Sequence, residues 1–199
     1  MATLAVGTLV ASFWSIRQES LVSEYQSRLD GQILPDGTMK RPVLTPVPDY
    51  APARAMMTDA LYIARAASMD KNPQHRRTLL LHARTSLSGV LKSRPHWGEA
   101  WIVKAYIESL TSPRMGYAEE EALIRSYMDA PFVHNAGLWR AKRGMTNWNR
   151  FPAFAQARIA NETVWLISAA PQTRMELLEM ARNTPAYIPV FLRLRERRR

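Results

Sequence analysis

The sequence predicts an all-α protein: stacked helical hairpins that follow an N-terminal membrane helix and a Pro-rich linker. Three observations predict it. Apolar residues recur at helical spacing from residue 54 almost to the end of the chain. No period-2 alternation lasts long enough to make a strand. Proline closes successive pairs of helical segments at a regular interval.

The first element is an uncharged apolar run over residues 2–16, interrupted only by Thr and Ser. As a helix, fifteen residues reach roughly 22 Å, against a hydrocarbon core of roughly 30 Å. A short anchor, a signal-peptide hydrophobic region and a core helix all fit that length. No Lys or Arg precedes the run, and no small-x-small cleavage site follows it, which disfavours a signal peptide. The absence of polar positions at every third or fourth residue disfavours a core helix. An anchor is therefore expected, extended by Leu21 and Val22 and steadied at the interface by Trp14, so that membrane lipid meets residues 1–22. Residues 1–30 then form the anchor helix with its polar extension. Arg17 and Arg28, counted by the positive-inside rule, place the bulk of the chain in the cytoplasm.

Residues 31–53 read as a linker, holding Pro35, Pro42, Pro46, Pro48 and Pro52 together with Gly31 and Gly37. Proline at that density fixes φ and removes backbone donors, so the segment is expected to be extended. Residues 54–192 form the helical-repeat domain, and residues 193–199 a basic tail. Within the domain, Leu80, Ala83, Leu87, Val90 and Leu91 share one helical face. Ala100, Val103, Ile107 and Leu110 share another, with Trp97, Trp101 and Ala105 beside them. Leu123, Ile124, Tyr127 and Met128 oppose Glu119, Glu120 and Arg125. Leu138, Ala141, Met145 and Trp148 come next, then Phe154, Ala157, Ala160, Val164 and Ile167, and a last helix opens at Pro171.

The phrases Ala83-x3-Leu87-x2-Val90-x4-Pro95 and Leu123-x2-Ser126-x4-Pro131 align at a spacing of 36. This resembles the tetratricopeptide pattern, in which helix pairs repeat about every 34 residues. Trp97, Ala100 and Tyr106 stand where that family places first-helix apolar residues. Its Leu-Gly pair is missing, and Val90 and Ser126 replace its small Ala. A narrower resemblance covers most of residues 80–192: a helix ending in Arg94-Pro95, a Trp-rich helix, a close at Ala130-Pro131, then Leu138-Trp139-Arg140 and aromatic residues around Trp148. These are similar to the membrane-anchored, tetratricopeptide-like proteins of bacterial exopolysaccharide loci, the VpsP-like polysaccharide biosynthesis family. The resemblance implies a single-pass protein of the bacterial inner membrane with a periplasmic domain that assists polysaccharide assembly or export. It brings no catalytic residues.

The chemistry-bearing residues point the same way. Without cysteine there is no disulfide, thiolate metal site or cysteine nucleophile. His75, His82, His96 and His134 show no metal-ligand spacing. Glu119, Glu120 and Glu121 fan around a helix start, where they complement the dipole rather than converge on a substrate. No phosphate-binding Gly-rich loop or nucleophile elbow occurs. No catalytic, cofactor-binding or metal-ligating residue is therefore expected.

A net charge of +10 attracts polyanions, but the cations are spread along the chain rather than gathered on one groove-entering element, which disfavours nucleic acid. The reading is a non-catalytic, membrane-tethered interaction scaffold whose partner is a protein in or at the membrane, with polysaccharide as a further ligand. A small accessory subunit of a large membrane complex is the alternative, and a nucleic-acid-binding protein the less favoured one. The expected partner-binding residues are Trp97, Trp101 and Trp139, whose rings also suit packing between hairpins, with a basic rim of Arg84, Arg140, Lys142 and Arg143.

Overall fold

The computed structural model describes the backbone of residues 2–31, 48 and 50–197, and their side chains apart from residues 2–14, 16, 134 and 135. Every regular element among the described residues is helical: α1 (Ala2–Asp30), α2 (Ala53–Met69), α3 (Pro73–Ser93), α4 (Gly98–Ser109), α5 (Tyr117–Asp129), α6 (His134–Thr146), α7 (Ala153–Ala169), α8 (Arg174–Arg182) and α9 (Tyr187–Glu196), with short 3₁₀ turns before α7 and α8. The chain forms two compact units, Met1–Pro95 and His96–Arg199.

In the first unit α2 is clasped by α1 on one side and α3 on the other. That explains why α2 buries Ala55, Ala60, Ile63, Ala64 and Ala67, which together span about half of its circumference. Its alanines keep the three helices close. Asn72 starts α3 as an N-cap, its side-chain oxygen accepting from the N–H groups of Gln74 (3.0 Å) and His75 (3.2 Å), with Pro73 in the first turn where no donor is needed. Leu80, Ala83, Leu87 and Val90 form the buried stripe of α3, in the register that the periodicity predicts.

The polar half of α1 is not held away from this unit. Tyr25 and Leu29 are buried against α2. Arg17 donates to the Tyr50 hydroxyl (2.9 Å) and lies over its ring, so the chain just before α2 returns to α1. The proposed anchor residues fall mostly on positions whose side chains lie outside the described residues. Among the described residues, no helix is long and apolar enough to cross a membrane.

In the second unit α4 and α5 form a tight hairpin, and α7 runs at the centre of α5, α6, α8 and α9. Ala141, Met145, Trp148, Ile159, Ala160, Val164, Ile167 and Leu177 share one core with Leu123 and Tyr127. The register of α5 differs from the predicted one: Glu119 is buried and Met128 exposed, because Arg143 supplies an inward partner for Glu119. Phe154 is likewise exposed rather than internal. Helix α9 extends across the join between the expected domain and the basic tail. Its Pro189 stands in the first turn, where a missing N–H breaks no helical bond.

Gly98 sets how closely α4 approaches α5. A Cβ there would lie 2.8 Å from the Ala130 nitrogen and closer still to the Ala130 Cβ. Gly98→Ala is therefore expected to force the hairpin apart and cost about 1–3 kcal/mol, despite alanine's better helix propensity. Urea unfolding followed by tryptophan fluorescence measures this, since five of the six Trp lie in this unit. An unchanged or raised midpoint would show that the close approach is not constraining.

Candidate functional site

The residues expected to form a basic rim do not gather on one. Arg84 is exposed on α3, in the first unit, while the others belong to the second. Arg140 is a correction: it is wholly buried, as is its partner Glu162. On α6, Arg140 and Arg143 turn toward α5 while Lys142 turns toward α8. Arg143 holds Glu119 through Nη2 (3.0 Å), and Lys142 pairs with Glu176. Each cation is thus met by a carboxylate, and the patch has little net charge to offer.

The buried pair has a structural purpose legible from its bonds. Arg140 Nε donates to Glu162 Oε2 (2.9 Å), and its Nη2 donates to the other carboxylate oxygen. Nη1 donates to the carbonyl of Ser126 (3.0 Å), which also accepts the Ala130 N–H, and to that of Ala130 (2.8 Å), an acceptor beyond the last helical bond of α5. Glu162 Oε1 accepts from the Val133 N–H (3.1 Å) at the start of α6. The guanidinium also lies 4.2 Å from the centre of the Tyr127 ring. One ion pair therefore joins α5, the following turn, α6 and α7. Burial raises the Glu162 pKa, while Arg140 and the Val133 N–H pull against it. Burial, then the Glu162 charge, pushes the Tyr127 hydroxyl well above its ordinary value.

The predicted tryptophans are partly buried. Trp101 and Trp139 pack against the core, Lys104 covers the Trp101 ring at 4.7 Å, and Tyr106 meets Trp139 edge-on at 5.6 Å. Trp97 differs: it caps α4, its Nε1 donates to Glu99 Oε2 (3.1 Å), and it lines an open groove.

That groove, of about 340 Å³, lies between the start of α4 and the end of α5. Its polar lining is acidic. Glu99 and Asp129 face it, His96 sits 3.3 Å from Asp129 Oδ1, and the buried Asp129 Oδ2 has no hydrogen-bond partner. A second groove, of about 480 Å³, runs between α7 and α9. Its floor is Val164 with Phe132 and Trp165, whose rings lie 5.7 Å apart. Arg193 and Arg197 line its edge, braced by Asn161 (2.8 Å) and Ser168 (3.2 Å). Phe132 lines both grooves and is 52% exposed, directly after the helix-ending Pro131. The pair thus offers an aromatic centre flanked by carboxylates on one side and, on the other, by two guanidinium groups with Glu196 between them. Among the described residues, no cluster of metal-ligating side chains forms.

Sequence reasoning missed Phe132, Trp165, Arg193 and Arg197 as a site. The available signal was a large aromatic placed outside a helix, immediately after its terminating proline. Compared with known proteins, the chain matches no family model, no curated protein and no solved structure.

Proposed function

We propose that this chain is a non-catalytic, membrane-tethered interaction scaffold of tetratricopeptide-like hairpins. The observation that carries the reading is the exposed Phe132 between two grooves of opposite charge. Aromatic rings offer large apolar contact area at low entropic cost, and charge of both signs fixes the orientation of whatever crosses them. A protein segment with an apolar anchor between basic and acidic residues fits this arrangement better than a uniform polyanion does. Residues 2–16 serve as the tether, and at the membrane the scaffold assists polysaccharide assembly or export, as its resemblance to the VpsP-like family suggests.

Co-purification from detergent-solubilised membranes tests the reading. The full chain is expected to bring a defined protein partner, and Phe132→Ala with Trp165→Ala is expected to weaken that association on the order of 10-fold or more. Phe132 is half-exposed but Trp165 packs partly on the core, so Phe132→Ala alone is the variant whose circular dichroism should match that of the parent. Recovery of a lone monomer, or a partner indifferent to both substitutions, would overturn the assignment of these grooves.

A further inference from the structure

Helix α9 is apolar on two sides, and only one of them is covered. Val190 is buried and Leu194 packs against the core of the second unit. The adjoining face carries Tyr187, Ile188, Phe191 and Leu192, which are 37%, 59%, 49% and 49% exposed. At 3.6 residues per turn these four share one face of about 140°, and the Tyr187 and Phe191 rings lie 5.9 Å apart. Four adjacent large apolar side chains form a patch, and patches of that kind mark interaction surfaces.

Charge identifies what the patch meets. Residues 193–199 hold five Arg against Glu196 alone. Arg193 and Arg197 hydrogen-bond to Asn161 and Ser168, which are neutral and cancel none of that charge. Arg195 follows Phe191 by one turn, on the same side as the exposed apolar residues. An occupant must therefore present an apolar phase and dense negative charge side by side. Nucleic acid offers the charge without the apolar phase. A second copy of this chain, docked symmetrically, would bring two Arg-rich segments together. An anionic bilayer surface offers both at the right separation, with arginine stems reaching back to the headgroups.

We infer that α9 is an interfacial helix that lies on anionic lipid, with Ile188, Phe191 and Leu192 at the acyl boundary and Arg195, with the basic tail that follows it, toward the headgroups, while Arg193 and Arg197 stay turned to α7. This contact is independent of the tether at residues 2–16, because a spanning helix does not need anionic headgroups. It would add a second, charge-selective attachment.

The chain lacks cysteine, so Leu192→Cys accepts one environment-sensitive fluorophore. The labelled full chain is reconstituted into phosphatidylcholine vesicles with and without phosphatidylglycerol. Emission should shift to the blue, and resist aqueous iodide, only with phosphatidylglycerol and only at low salt. Replacing Arg195 by Gln should weaken the effect about fivefold, and replacing Arg193 or Arg197, which are turned to α7, should weaken it less. Phe191→Asp, at an exposed position, should abolish it with the helical content unchanged. A probe that stays exposed in anionic vesicles overturns the inference. So does one shielded equally in neutral vesicles, or one whose shielding grows with protein density on the vesicle. Co-sedimentation at high salt reports the tether separately, so loss of one attachment is distinguishable from loss of the other.

Discussion

Arg140→Ala is expected to destabilise the second unit by about 3–5 kcal/mol, the usual consequence of stranding one half of a buried ion pair. The substitution strands Glu162 in the core without its counter-ion and removes the donor that serves the Ala130 carbonyl. Lysine is expected to rescue little, because a single ammonium cannot reproduce a guanidinium fork that reaches Glu162, Ser126 and Ala130 at once. The double variant Arg140→Met, Glu162→Leu should recover much of the loss, since it removes the stranded charge and keeps the volume. Denaturant unfolding read by tryptophan fluorescence decides the matter. A midpoint unmoved by Arg140→Ala would mean that the guanidinium is not the element joining α5, α6 and α7. A double variant no better than the single one would assign the loss to the unsatisfied Ala130 carbonyl instead.

Asp59→Asn is expected to stabilise the first unit above about pH 6, by up to about 3 kcal/mol. Asp59 on α2 is 3% exposed, and its Oδ2 has no hydrogen-bond partner. Burial pushes its carboxyl up to about 6, against the opposing charges of His82 on α3 and Arg28 on α1. Burial, then the charge of Asp59, raises the Tyr25 hydroxyl on α1 in turn. The sign follows from proton binding. The folded chain holds this proton more tightly than the unfolded chain does, so its stabilising contribution is complete below about pH 4 and is lost as pH rises to about 6. Asparagine keeps the shape of the protonated acid without the titration. The difference between parent and variant in thermal unfolding, followed by circular dichroism across that range, isolates this one group. Parallel curves would show that Asp59 gains solvent or a partner in the folded chain.

The helices were legible because their apolar stripes are long and regular. Leu80, Ala83, Leu87 and Val90 on α3, and Ala141, Met145 and Trp148 on α6, are buried as their spacing requires. Charged positions were harder. Arg140 belongs to a run with Lys142 and Arg143, and such a run usually marks a solvated face. A contrary signal was present: Gly137, Ala141 and Gly144 surround Arg140 with small residues on one side of α6. A Cβ on Gly144 would meet Ile159 at 3.0 Å, and one on Gly137 would meet Leu166 at 3.3 Å, so that side lies tightly on α7. A cation amid such a stripe is committed to the interior. The grooves were not legible, since Phe132, Trp165 and Arg193 are far apart in sequence and share no spacing.

What the sequence determined by itself is therefore the local part: all-helical structure, most helix boundaries, two hairpins closed by Pro95 and Pro131, and the inward stripes of most helices. These follow from residue-by-residue propensity and a 3.6-residue period, both of which act within a few turns. Only the tertiary structure decided which cations are buried, that one carboxylate oxygen of Asp59 is buried without a hydrogen bond, that the polar half of α1 packs on α2, and that α9 has an uncovered apolar face. Those outcomes depend on what a neighbouring helix presents across the contact. A charged side chain is driven outward by solvation unless a partner waits inside, and the partner of Arg140 lies 22 residues away on another helix.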